Sequence, residues 1–169
     1  MSNSPHTEDA PIKVRIATMS DMDEIMSLAV EAAKENGFLD ASTTLLAKAV
    51  WGPINQDHGI IGCIGEPGAL LEGMVVLSIG KIFYSDTDCL EERTLYLRPE
   101  FRSAKGGRAN KLLEFSMSAA DSLGLPLLIG VLSNERTEAK CRLYQRKLGP
   151  AAGAYWIYRT RTGGKAVVA

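Results

Sequence analysis

Residues 97–113 read Leu97-Arg98-Pro99-Glu100-Phe101-Arg102-Ser103-Ala104-Lys105-Gly106-Gly107-Arg108-Ala109-Asn110-Lys111-Leu112-Leu113. A strand ending feeds a basic, glycine-containing turn that opens directly into a helix pattern. Such a turn aims unpaired backbone N–H groups and the positive end of the helix at one point, a ready seat for phosphate. Gly106 and Gly107 lack the Cβ that would hold a pyrophosphate off the backbone, and Arg102, Lys105 and Arg108 add positive charge. The turn is not a Walker loop, because no Gly-Lys-Ser/Thr follows at the required spacing, and it carries no G-x-G-x-x-G dinucleotide fingerprint. Taken alone, it is as well explained as a surface turn capping a helix.

Two carboxylates, Glu91 and Glu92, lie on the strand leading to Leu97. Simple alternation puts Glu91 on the face of Leu95 and Leu97, and Glu92 on the face of Thr94 and Tyr96. A solvated strand-end carboxylate explains either equally well. Tyr144 stands beside Leu143 on a helix pattern, where a packed aromatic is the plain reading. His58 precedes a strand as a turn or surface histidine, and Trp51 and Trp156 suit a core or a pocket wall. The Lys- and Arg-rich residues 136–147 are interleaved with Glu138, the pattern of a solvated helix face. Cys63, Cys89 and Cys141 are odd in number, widely spaced and without a C-x-x-C pair, so neither a zinc site nor a disulfide framework is expected.

These residues need a scaffold. Residues 13–17 alternate as a strand, and Thr18 with Asp21 resembles a capping box before a helix carrying Ile25, Leu28, Ala29 and Ala32. Asn36-Gly37 ends that helix, a second begins near Ser42, and Gly52-Pro53 breaks it. Residues 59–64, 69–84 and 89–97 read as strands joined by short turns, an antiparallel meander. A helix follows the basic turn, with Leu112, Leu113, Ser116 and Ala120 on one face. Residues 127–132 are fully apolar, the pattern of a buried sheet centre. Residues 137–148 form a further helix, and Tyr155-Trp156-Ile157-Tyr158 a last strand. The order is β-α-α-β-β-β-α-β-α-β in one α/β (α+β) domain over residues 12–160, with tails at 1–11 and 161–169.

The chain has 169 residues, 46% hydrophobic and 23% charged, the balance of an ordinary globular domain with a real core. Nineteen basic residues against 20 acidic ones give a net charge of −1, so no global pull on nucleic acid exists. No apolar run approaches a membrane span, residues 1–11 carry no signal-peptide pattern, and three plain thiols fit a reducing, cytoplasmic setting.

The ordered set of segments resembles the GNAT acetyltransferase superfamily over most of the chain, from about Val14 to Tyr158. Leu97-Arg98-Pro99 stands for the V-x-P strand ending of that family, and Gly107-Arg108-Ala109, then Asn110-Lys111, then Leu112-Leu113 matches its G-x-G/A segment in register. The family places Gln or Arg three residues before the first of these glycines. Here that position is Ala104, with Arg102 two residues further back, which reads as a longer loop in which Lys105 or Arg102 supplies the charge. Some phage-associated members have similarly altered loops. Leu143-Tyr144 with Leu148-Gly149 fits the family's L-Y-x-x-x-G-F segment, with Pro150 in place of Phe.

The resemblance implies a mixed, mostly antiparallel sheet flanked by helices. It implies acetyl-coenzyme A as cosubstrate, without a metal, and transfer of its acetyl group to a primary amine by direct attack. The pantetheine arm would lie along Leu95, Tyr96 and Leu97 like an added strand. The pyrophosphate would sit on the amides of Lys105, Gly106, Gly107, Arg108 and Ala109, with Arg102 beside it. Asn134 would touch the cofactor arm, although it precedes Tyr144 by three residues more than is common. Tyr144 would protonate the departing thiolate, a role its phenol suits at neutral pH. Glu91 takes the place where some members carry a base for the amine proton. The alternatives are a non-catalytic acyl-coenzyme A sensor or partner module and, further off, a nucleotide-binding module using the same anion seat. The acceptor is not legible, and a homodimer is the default assembly.

Overall fold

The computed structural model describes residues 11–103, 107–133 and 136–157. Lys105, Gly106, Asn134 and Tyr158 lie outside the described residues. The elements are β1 (Arg15–Ile16), α1 (Met22–Asn36), α2 (Thr43–Ile54), β2 (Gly59–Ile64), β3 (Gly73–Lys81), β4 (Asp88–Leu97), α3 (Gly107–Leu123), β5 (Leu127–Ile129) and α4 (Thr137–Leu148). The strands form one five-stranded sheet in the order β1-β2-β3-β4-β5. All neighbours are antiparallel except β4 and β5, which run parallel.

Alternation splits the sheet's side chains between two helical layers. On one face, α1 and α2 bring Ile25, Leu28 and Val50 against Ile61, Met74, Val76 and Tyr96. On the other, α3 and α4 bring Leu112, Leu113 and Leu143 against Val75, Leu77, Leu90, Leu95 and Leu97. Gly62 lets α3 close on the sheet, since a Cβ there would fall 2.6 Å from the Phe115 ring. Gly37 ends α1 in the left-handed region at φ 61° and donates to the Ala33 carbonyl, as its type predicts. Ser42 caps α2 through its hydroxyl, which accepts from the Leu45 N–H. That helix runs one residue past Pro53 instead of breaking at Gly52-Pro53.

Two expected strands differ. Residues 127–132 are not a buried sheet centre: pairing stops at Ile129, Leu128 is 38% exposed, and β5 is the sheet's edge among the described residues. Tyr155, Trp156 and Ile157 form no strand; the Tyr155 ring packs over Gly130, which has no side chain to keep it away. Strand propensity alone does not hold a segment that finds no ladder to join.

A β-bulge corrects the face assignment of the two carboxylates. Thr94 pairs with Val76 and Glu92 with Leu77, so Arg93 is an extra residue on β4. Upstream of it the faces swap. Glu92 therefore shares the α3–α4 face with Leu95 and Leu97, and Glu91, opposite Ser78, points the other way.

Buried ion pairs pin the ends of this scaffold. Asp21 is fully buried and accepts both Arg15 Nη groups at 2.8 Å, the Thr18 N–H at 2.8 Å and the Gly68 N–H at 3.2 Å. The Arg15 guanidinium holds the Asp21 carboxyl well below the usual carboxylate range, helped by those amides. Arg98, also buried, reaches Glu24 at 3.1 Å and Glu31 at 3.4 Å and so ties α1 to the end of β4. Asp21→Asn should lower unfolding free energy at neutral pH by about 3 kcal/mol, because it strands Arg15. A depressed carboxyl stabilises the fold above its unfolded pKa and loses that contribution as pH falls. Urea unfolding should therefore show the gap between wild type and variant narrowing below pH 3.8.

Candidate active site

Pairing between β4 and β5 ends at Glu92 and Ile129. Beyond that point β4 continues alone on this side, among the described residues, through Leu95, Tyr96 and Leu97. A cleft of about 280 Å³ opens there, between the end of β4, the start of α3 and the inner face of α4. Leu95, Tyr96, Leu97, Arg102, Arg108 and Ala109 line it, which brings together most of the expected cofactor contacts that are described. Gly107 is the first residue of α3 at its edge. Among the described residues a Cβ at Gly107 would meet only Ile12 Cδ1, at an ordinary 3.5 Å, so their packing does not require glycine there.

The two described arginines, Arg102 and Arg108, are already engaged. Arg102 reaches Glu35 at 2.5 Å, donates through Nε to the Leu97 carbonyl at 2.9 Å and lies 5.3 Å from the centre of the Tyr96 ring. Arg108 pairs with Glu72 at 2.5 Å and lies over the Phe101 ring. The opposite wall belongs to α4, which contributes Arg136 at its N-cap, then Lys140, Arg142 and Arg146. The sequence reading took this segment as a solvated face. Its outer side does carry an exposed pair, Arg142 with Glu138, while Arg136, Lys140 and Arg146 also border the cleft.

Tyr144 and Glu92 meet under this wall. The Tyr144 hydroxyl donates to Glu92 Oε1 at 2.5 Å, and both residues are buried. Glu92 Oε2 is buried too and has no hydrogen-bond partner among the described residues. Burial pushes the Glu92 carboxyl up to about 7, against the opposing pull of the Tyr144 hydrogen bond and of Lys140. Burial and then the Glu92 charge raise the Tyr144 phenol above its ordinary value. Glu91 stands apart, 42% exposed at its side chain and paired with Arg93 at 3.2 Å.

Sequence reasoning missed Glu92, Glu72 and Lys140 as parts of this region. For Glu92 a signal was present. Leu90 and Leu95 are an odd number of residues apart, so both can face one core only if a residue bulges out between them. For the pairings of Glu35 and Glu72, no local signal exists.

A carboxyl whose pKa is raised in the fold keeps its proton where the unfolded chain has lost it. Stability should therefore fall as pH rises from 4.5 to about 7. Glu92→Gln keeps an acceptor for Tyr144 and cannot ionise. Urea unfolding should show the variant gaining on wild type by on the order of 3 kcal/mol between acidic and mildly alkaline buffer. Parallel pH dependences would mean that Glu92 is not held neutral by burial.

No family model and no curated protein matches this sequence. Solved structures do. AAC(6')-Iy, in complex with the bisubstrate analog CoA-S-monomethyl-acetylneamine, is similar at a TM-score of 0.67 and 15% identity, covering 90% of this chain and 99% of that one. A protein of Clostridium acetobutylicum described as a predicted acetyltransferase, with acetyl-CoA, has a TM-score of 0.67 and 14% identity over 88% of this chain and 96% of its own. An integron cassette protein from the mobile metagenome of Cole Harbour Salt Marsh has a TM-score of 0.64 and 22% identity over 89% and 91%. With its open, mostly antiparallel five-stranded sheet flanked by helices and these neighbours, the chain has a GNAT-like fold.

Proposed function

We propose that the chain is an acetyl-coenzyme A-dependent N-acetyltransferase that acts on a primary amine by direct attack. The observation that carries this reading is the buried Tyr144–Glu92 pair beside an unpaired stretch of β4 and a cation-lined cleft. The residues present suit the cosubstrate. Along Leu95, Tyr96 and Leu97 the edge of β4 has no β5 partner among the described residues, so it can receive an amide-bearing arm, which at the Leu97 carbonyl must displace Arg102 Nε. Gly107 leaves room for a diphosphate at the start of α3, and Arg136, Arg142 and Arg146 supply charge across the cleft.

Glu92 is the carboxylate the geometry favours as base, in place of the exposed Glu91. With its pKa near 7 it is part ionised at neutral pH, poised to take a proton from an incoming ammonium. The freed amine attacks the thioester carbonyl, which the backbone N–H near Leu97 polarises. Tyr144 gives its proton to the departing sulfur. A phenol this reluctant to ionise is a weak acid on its own. Once protonated, however, Glu92 donates back across the same hydrogen bond and refills the Tyr144 oxygen as its proton leaves. The proton taken from the ammonium thus ends on the sulfur, through two side chains already in contact, and the second proton, which the nitrogen sheds on becoming an amide, leaves to solvent.

A second reading, a non-catalytic acyl-coenzyme A-binding module, draws on the engaged state of Arg102 and Arg108. Their carboxylate partners, Glu35 and Glu72, must yield or share before either cation serves a phosphate. Calorimetry should give a heat of binding for acetyl-coenzyme A with the folded chain; its absence would count against both readings. Tyr144→Phe separates them. For the enzyme, thioester turnover on an amine acceptor should drop by about a hundredfold in kcat, with the KM for acetyl-coenzyme A little changed. Unaltered turnover would remove Tyr144 from the proton path.

A further inference from the structure

Lys140 has no part in the proton path described above. Among the described residues it is the one lysine that lines the cleft, on the wall that faces Leu95, Tyr96 and Leu97. It stands four residues before Tyr144 on α4, so both side chains project from the same helix face, one turn apart. Four charged groups act on it from three elements: Glu35 of α1, Glu92 of β4, Arg102 just after β4, and Arg136 at the N-cap of α4. The two carboxylates favour its ammonium and the two guanidiniums oppose it. Desolvation is the largest effect, acts with the guanidiniums against the carboxylates and lowers the Lys140 pKa, which enlarges the fraction of neutral amine.

We infer that Lys140 is a self-acylation site, whose ε-amine takes the acyl group from acyl-coenzyme A bound in the same cleft. The inference rests on reading the cleft as an acyl-coenzyme A site. The reaction needs no further reagent. Neutral Nζ forms a bond to the thioester carbonyl carbon, the C–S bond breaks, and its electron pair leaves on sulfur. One proton departs from Nζ and one arrives on the thiolate, giving an Nε-acyl-lysine and the free coenzyme thiol. No group is oxidised or reduced. A bound thioester is presented to this amine at high effective concentration, which an exposed lysine never meets. The product lacks the lysine's positive charge and adds bulk to the cleft, so the modified chain should hold the coenzyme less tightly.

The test uses the full chain with acetyl-coenzyme A and no acceptor, following each lysine by peptide mass spectrometry. Calorimetry with coenzyme A runs in parallel. Lys140 should be acetylated about tenfold faster than the exposed Lys34 and Lys48. That advantage should vanish in urea-unfolded chain, and Lys140→Arg should abolish the fast incorporation. Binding of coenzyme A with Lys140 labelled no faster than Lys34 and Lys48 overturns the self-acylation site and leaves the acetyltransferase reading standing. Absence of binding overturns both.

Discussion

The extra residue at Arg93 decides what chemistry the sheet can support. A strand without it would send Glu92 toward α1 and α2, and Glu91 toward α4. The bulge inverts this upstream of Thr94 while leaving Leu95 and Leu97 in the α3–α4 layer. A carboxylate is thereby placed in an otherwise apolar layer beneath α4, where Tyr144 is its one hydrogen-bond partner among the described residues. Holding a carboxyl there costs free energy when it ionises, and the raised pKa is the direct expression of that cost. The same bulge helps to end the partnership with β5, since the ladder to Ile129 stops at Glu92. One inserted residue thus sets both the polar pair and the open strand edge beside it.

The second constraint is the acidic stripe on α1. Glu24, Glu31 and Glu35 recur at helical spacing and meet Arg98 and Arg102, the two arginines that follow β4. Arg98 is buried and closes the end of the strand against the helix, which fixes the height of Leu95 and Leu97 in the cleft wall. Arg102 is less buried than Arg98, and its Nε donates to the Leu97 carbonyl. A ligand arm that pairs with that carbonyl competes with an existing charge-assisted hydrogen bond worth about 1.5–3 kcal/mol. Among the described residues Arg136, Arg142 and Arg146 of α4 form no ion pair with Glu35 or Glu72, which makes that helix the readier source of charge for a phosphate.

Most elements were legible because each rests on local signals. Gly37 stops α1, Ser42 starts α2, and continuous apolar runs mark β2 and β3. The glycine at the head of α3 and Tyr144 drew attention through their spacing as well, and each is next in sequence to a residue that lines the cleft, Arg108 and Leu143. The pairing of Glu92 with Tyr144 joins residues 52 positions apart and depends on a bulge, so no window of sequence displays it. The exposed aromatics at 155 and 156 misled for the converse reason: strand-like composition says nothing about whether a free edge is within reach.

Desolvation under α4 acts on three groups at once and pushes each toward its neutral form: Glu92 up, Tyr144 up, Lys140 down. A site that prefers neutral groups suits a thioester and an unprotonated amine, which carry no net charge before they react. Attack then creates opposite charges on the amine nitrogen and the carbonyl oxygen, in surroundings that solvate neither well. What stabilises them must be polar and already in place, because reorganising it during the reaction would cost free energy. In the proposed reaction the Glu92–Tyr144 hydrogen bond would meet that condition. It holds a proton acceptor and a proton donor in fixed contact, and neither needs water to exchange its proton with the other.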